Sequence, residues 1–301
     1  MTGVVTGITD MPRRKILQRV LALGATALTL GFRSRSDANP RPRADTALRW
    51  GIDYGVTTDP VLAKACALLV LEPHHARPIA PLRGPGSILL GYVSFVEVER
   101  SRPYFAALEK AGALKAANPN WPDARLADLR HPAWRATVLD RLVPAILALG
   151  YDGIFIDTMD NAEAMERQDP VANKGMVAAG VSLIAAVRAR FPRTRVMLNR
   201  GYALLPEVAP KIDYLLGEAM ASRWNFADKR YELLSDSDWA WQAGRLRAAQ
   251  ARNPALTLKT LDYWDPADPR QVAALYARER AAGFNPYVAT LALDRLIPEP
   301  S

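Results

Sequence analysis

The chain has 301 residues, half of them apolar and 23% charged, which suits a globular protein with a sizeable core. Its net charge of +8 suggests nucleic acid or a membrane surface, yet eight Lys/Arg against three Asp fall within residues 1–45, leaving 31 basic and 28 acidic residues over 46–301. No basic run in that body is interleaved with aromatics, which argues against nucleic acid, and no internal stretch approaches the ~20 apolar residues of a membrane span.

Residues 1–38 read as a leader. Arg13-Arg14-Lys15-Ile16-Leu17-Gln18 precedes a short apolar run over 20–30 and resembles a twin-arginine export signal, with a weak small-x-small site at Ser36-Asp37-Ala38. The expectation is a periplasmic or extracellular protein with no membrane span in its mature chain. Residues 39–47, rich in Pro and Arg, read as a linker, and 48–298 as a single domain.

Strand patterns recur through that domain at 48–54, 67–71, 87–94, 154–156, 195–198, 213–217, 256–261 and 286–291. Helical patterns lie at 133–149, where Pro144 predicts a bend, and near 174–190, 238–251 and 270–282. Eight strands with helices between them, over about 250 residues, predict an α/β fold, a single-domain (β/α)8 TIM barrel. The single cysteine, Cys66, abuts the second strand and reads as an inert core thiol, so no internal disulfide forms. His74, His75 and His131 show no ligand spacing, and neither a metal nor a cofactor is expected.

The organising stretch is Gly150 to Asn161. A helix-stop glycine and an Asp-Gly turn lead into Ile154-Phe155-Ile156, and the strand then ends in Asp157, Asp160 and Asn161. A carboxylate beside the core costs several kcal/mol unless it is paired, so its placement asks for a reason. Other strands also end in polar residues: Asp53, Glu72, Glu97, Asn199, Glu218 and Asp262. Any one could cap a helix, but seven at equivalent positions predict a catalytic face at the carboxyl ends of the strands. The sequence holds no Gly-x-Ser-x-Gly elbow, phosphate loop or His-Glu-x-x-His. Carboxylates accompanied by Tyr and Trp suit glycoside chemistry, with Tyr54, Tyr202, Trp224, Tyr263 and Trp264 as candidate stacking faces.

The ordered set Trp50-Gly51-Ile52-Asp53-Tyr54, Leu90-Gly91-Tyr92-Val93-Ser94, Asp128 to Trp134 and Gly150 to Asn161 resembles glycoside hydrolase family 114, the endo-α-1,4-polygalactosaminidases. Leu198 to Gly201, Leu216-Gly217-Glu218, Leu261-Asp262-Tyr263 and Gly283 to Val288 continue the resemblance across residues 48–296. It implies a secreted monomeric glycosidase cleaving α-1,4-linked galactosamine-containing polysaccharide with retention, Asp157 being the nucleophile and Glu218 the acid/base. It also implies substrate contacts from Asp53, Tyr54, Glu72, Tyr92, Glu97, Asp160, Asn199, Tyr202, Asp262 and Tyr263. One departure is Ser94-Phe95-Val96-Glu97, where relatives often carry Gly-Glu.

Three other readings were weighed. A family 18 chitinase aligned on Asp152-Gly153 would need its catalytic glutamate at Met159 and so lacks its acid. A divalent-cation site could use oxygens of Asp157, Asp160 and Asn161. A non-catalytic carbohydrate-binding TIM barrel recognising an amino-sugar polymer stays open on the sequence.

Overall fold

The computed structural model describes residues 49–75, 78–118 and 121–300, with the Trp121 side chain omitted. The leader and linker therefore lie outside the described residues. Eight parallel strands form one sheet whose spatial order follows chain order. They are β1 (Trp50–Asp53), β2 (Leu68–Leu71), β3 (Ile88–Ser94), β4 (Gly153–Asp157), β5 (Arg195–Asn199), β6 (Tyr214–Glu218), β7 (Thr257–Tyr263) and β8 (Asn285–Ala289). The sheet curls into a nearly closed TIM barrel. At the seam no ladder joins β8 to β1. There, Trp50 Nε1 donates to Asn285 O at 2.9 Å, and the Trp50 and Tyr287 rings meet at 5.6 Å.

Every second residue of a strand faces the lumen. Trp50, Ile52, Leu68, Val70, Leu90, Phe155, Met197, Leu216 and Leu261 pack there as one cluster. The intervening residues, such as Leu69, Leu71, Ile154, Ile156 and Leu215, pack outward against the helices in a second, larger cluster. Strands buried on both faces are apolar almost throughout, hence their continuous runs in the sequence. β4 begins on a glycine for a steric reason: a Cβ on Gly153 would stand 1.9 Å from the Arg195 carbonyl oxygen.

The expected helix over 133–149 is two pieces, Pro132–Thr137 and Val143–Ala148, joined by a widened π-type turn over Val138–Leu142. Pro144 follows just after that widened turn, where its missing N–H cannot continue the regular ladder. Leu149 is exposed at the helix end. Two additions cap the carboxyl end of the barrel. Between β3 and β4, strands Glu97–Glu99, Leu114–Asn118 and Trp121–Ala127 form a small antiparallel sheet. Between β6 and β7, Ser222–Asn225 and Arg230–Leu233 form a hairpin.

Candidate active site

Asp157, Asn199 and Glu218 are the last residues of three consecutive strands, β4, β5 and β6, and their lumen parity brings the side chains together. Asn199 Nδ2 donates to Asp157 Oδ1 at 2.8 Å and to Glu218 Oε2 at 2.5 Å. The two carboxylate oxygens can therefore be no further apart than those two bonds laid end to end. Tyr263, the last residue of β7, donates its hydroxyl to Glu218 Oε1 at 2.7 Å. All four side chains are buried to within 2% of full enclosure. Asn199 Oδ1 accepts no hydrogen bond among the described residues.

The backbone turns sharply behind each of the first three. Thr158, Arg200 and Ala219 directly follow Asp157, Asn199 and Glu218, and all three are left-handed, with φ of 67°, 46° and 55°. A non-glycine residue in this region costs on the order of 1–3 kcal/mol, most clearly a β-branched one, and such strain concentrates where function demands it. Thr158 is held there by its hydroxyl. Its Oγ1 donates to Asp157 O at 2.7 Å, accepts from Val96 N at 3.0 Å and meets Ser94 Oγ at 2.8 Å.

Tyr54 and Tyr92 also belong to the lumen layer, edge to face at 5.0 Å, with Phe155 beyond Tyr92. Glu72 is buried and continues the inward series of Leu68 and Val70; its Oε1 accepts from His74 N at 3.2 Å. Glu97 lies on the capping sheet, where Oε1 accepts from Asn118 at 2.8 Å and from Asn161 at 2.6 Å. It ties that sheet to the first turn of helix Asp160–Gln168.

Three expected contacts are placed differently, and a fourth already carries an ion pair. Asp53 is in register with Leu71 on the helix-facing side and accepts from Gly55 N at 2.7 Å. Asp262 pairs in register with the outward-packed Val288, and its Oδ1 accepts from Ala221 N at 2.7 Å and Ser222 N at 2.8 Å. Burial pushes the Asp262 carboxyl up to about 6, against those two backbone donors. Tyr202 packs with the outer core, donating to Gln242 Oε1 at 2.8 Å and meeting the Trp241 ring at 5.4 Å. Asp160 forms an ion pair with Arg200. The three residues of the oxygen-ligand reading, Asp157, Asp160 and Asn161, carry separate partners, Asn199, Arg200 and Glu97. Met159, aligned with the chitinase acid, is fully buried in the outer core.

Thr158 and Tyr231 had no assigned role in the sequence reading. The signal for Thr158 was present, a hydroxyl residue directly after the strand-end Asp157; Tyr231 sits on a hairpin with no clear strand pattern.

Known proteins resemble this chain along most of its length. An uncharacterised protein of Deinococcus radiodurans is 30% identical over 278 residues, covering 85% of each chain. The glycoside hydrolase domain of PelA from Pseudomonas aeruginosa superposes with a TM-score of 0.69 at 28% identity, over 82% of this chain and 99% of that one. Ega3 of Aspergillus fumigatus, solved in complex with galactosamine, shares the fold, with a TM-score of 0.64 at 17% identity over 88% of this chain and 99% of that one. The model of glycoside hydrolase family GH114 matches residues 31–300, and the chain belongs to that family.

Proposed function

We propose that the protein hydrolyses α-1,4-linked, galactosamine-containing polysaccharide by double displacement. The observation that carries this reading is the single amide bridging Asp157 and Glu218. It keeps their nearest oxygens within two hydrogen bonds, 2.8 Å and 2.5 Å. That supports the ~5–5.5 Å carboxyl spacing of retaining glycosidases over the ~6.5–9.5 Å of inverting ones. Asp157 attacks the anomeric carbon while Glu218 protonates the departing glycosidic oxygen. Water, deprotonated by Glu218, then breaks the Asp157 ester and restores both groups.

The substrate class rests on two supports. Ega3, which shares the fold, is solved in complex with galactosamine. The lumen mouth is also carboxylate-rich, and a deacetylated amino sugar is a cation that such a site attracts. Asn199 Oδ1, still without a donor, offers an acceptor for a substrate hydroxyl or ammonium. The leader-like residues 1–38 support export, which would bring the enzyme to an extracellular polymer.

The test is release of new reducing ends from partly deacetylated α-1,4-galactosaminogalactan by the purified protein, beside Asp157→Asn and Glu218→Gln. Release by the parent and its loss in both variants supports the assignment. Binding without release in all three would make this a carbohydrate-binding barrel. Release that survives both substitutions would place the chemistry elsewhere.

A further inference from the structure

We propose that the open cleft walled by Trp224, Tyr231 and Trp264 is an outer subsite that holds a distant pyranose ring of the polymer cut at Asp157 and Glu218. This rests on the function proposed above and extends it along the chain of the substrate.

The cleft lies on the carboxyl face of the barrel, between the hairpin and the segment after β7. The Trp224 and Tyr231 rings meet at 4.8 Å and 72°, and the Tyr231 and Trp264 rings at 6.1 Å and 33°. All three are half-buried, each keeping part of its ring at the surface. Tyr231 is the corner. It packs against the lumen cluster that contains Tyr263, while its ring faces both tryptophans. Tyr231 therefore joins the two tryptophans to the lumen layer.

The wall is fixed in place. Ser222 at the base of the hairpin donates its hydroxyl to Tyr263 O at 3.0 Å and accepts from Tyr263 N at 3.2 Å. Tyr231 Oη accepts from Leu291 N at 3.2 Å, and Trp264 Nε1 donates to Asp268 Oδ2 at 3.2 Å. The aromatic faces are thus preorganised, which lowers the ordering cost of binding.

The charges of the cleft are divided: Lys229 and Arg230, the latter paired with Asp228 at 3.4 Å, lie on the hairpin side, and the exposed Asp265 and Asp268 border the Trp264 side. Sugar rings stack their C–H faces on indole, and a carboxylate beside the ring receives the ammonium of a deacetylated unit. An amino-sugar polymer supplies both features in each residue.

The experiment measures binding of partly deacetylated α-1,4-galactosamine oligomers of increasing length by calorimetry, in the full chain carrying Glu218→Gln so that nothing is cut. Trp224→Ala and Trp264→Ala should each remove about tenfold of the affinity gained between short and long oligomers. Trp264→Phe, which keeps a ring, should retain most of it, and matched thermal melts exclude misfolding as the cause. A gain that persists in both alanine variants overturns the subsite even if the Glu218 parent cuts the polymer. Loss of the gain when that parent cuts nothing leaves the subsite standing and removes the hydrolase. A parent that neither binds nor cuts overturns both. If Trp224→Ala instead dissociates a dimer and leaves polymer affinity untouched, the face is a contact between copies and the subsite is overturned.

Discussion

Asp157 and Glu218 stand two strands apart in the barrel yet share one amide nitrogen, that of Asn199 on the strand between them. Two carboxylates in a water-poor lumen repel, and a donor that serves both offsets that repulsion while fixing their spacing. Asn199→Ala should therefore lower kcat by roughly 10²-fold through misplacement, with KM changed little. Asn199→Asp should do more damage, since a third carboxylate replaces the donor. Steady-state kinetics on the galactosamine polymer separates the two effects. Wild-type kcat in Asn199→Ala would remove Asn199 from the reading.

Tyr263 and Glu218 give a prediction about pH. The Tyr263 hydroxyl donates to Glu218 Oε1, and a donor favours the ionised carboxylate. Tyr263→Phe removes that preference, so Glu218 should hold its proton to higher pH. The alkaline limb of kcat/KM, where the acid is lost, should shift upward. A shift downward would mean that the hydroxyl serves the neutral acid instead.

Strand identity was legible in the sequence and strand parity was not. All eight expected strands exist, with ends within about two residues, because short apolar runs bounded by turn residues leave few alternatives. A polar residue at or just after the end of seven of the runs was visible too. Which way it pointed was hidden, because strands buried on both faces show no alternation. Asp262 and Tyr263 make the case: both were expected in the cleft, but β7 continues through Tyr263, which faces the lumen, and this turns Asp262 outward toward Val288. The small capping sheet and the hairpin went unassigned. Their strands are short and carry Lys115, Arg125, Arg223 and Glu232, so neither an apolar run nor a clear period marks them.

Thr158 tests whether the strained step behind Asp157 matters. Thr158→Val keeps shape and β-branching but removes the acceptor of the buried Val96 N–H and the donor to Asp157 O. Leaving a buried donor unmatched costs about 1–3 kcal/mol, which urea denaturation resolves. Thr158→Ser keeps the hydroxyl and should restore most of the stability. Thr158→Gly relieves the left-handed strain yet loses the hydroxyl, so its activity should fall even where its stability does not. Equal stability of the Val and Ser variants would show the hydroxyl contributes nothing.

Glu279 makes a pH-dependent contribution to stability. Burial first, and then the charge of Asp262, push its carboxyl up to about 8, and Asp262 is itself raised to about 6. The groups facing it are Asp262 and Thr260 on β7, Arg278 beside it on its own helix, and Trp239, whose Nε1 donates to Glu279 Oε1 at 2.6 Å. The folded state thus keeps protons that the unfolded chain releases above its ordinary carboxylate pKa of about 4. The contribution of this pair to stability is then full below pH 4, falls as the pH rises toward about 8 and is flat beyond, with a slope of at most about 1.4 kcal/mol per pH unit for each retained proton. Glu279→Gln carries no proton to lose and preserves an acceptor for Trp239, so its melting temperature should match the parent at pH 4 and exceed it at pH 8. A parent whose melting temperature rises from pH 5 to pH 8, with the Gln variant following in parallel, would show that Glu279 is ionised throughout.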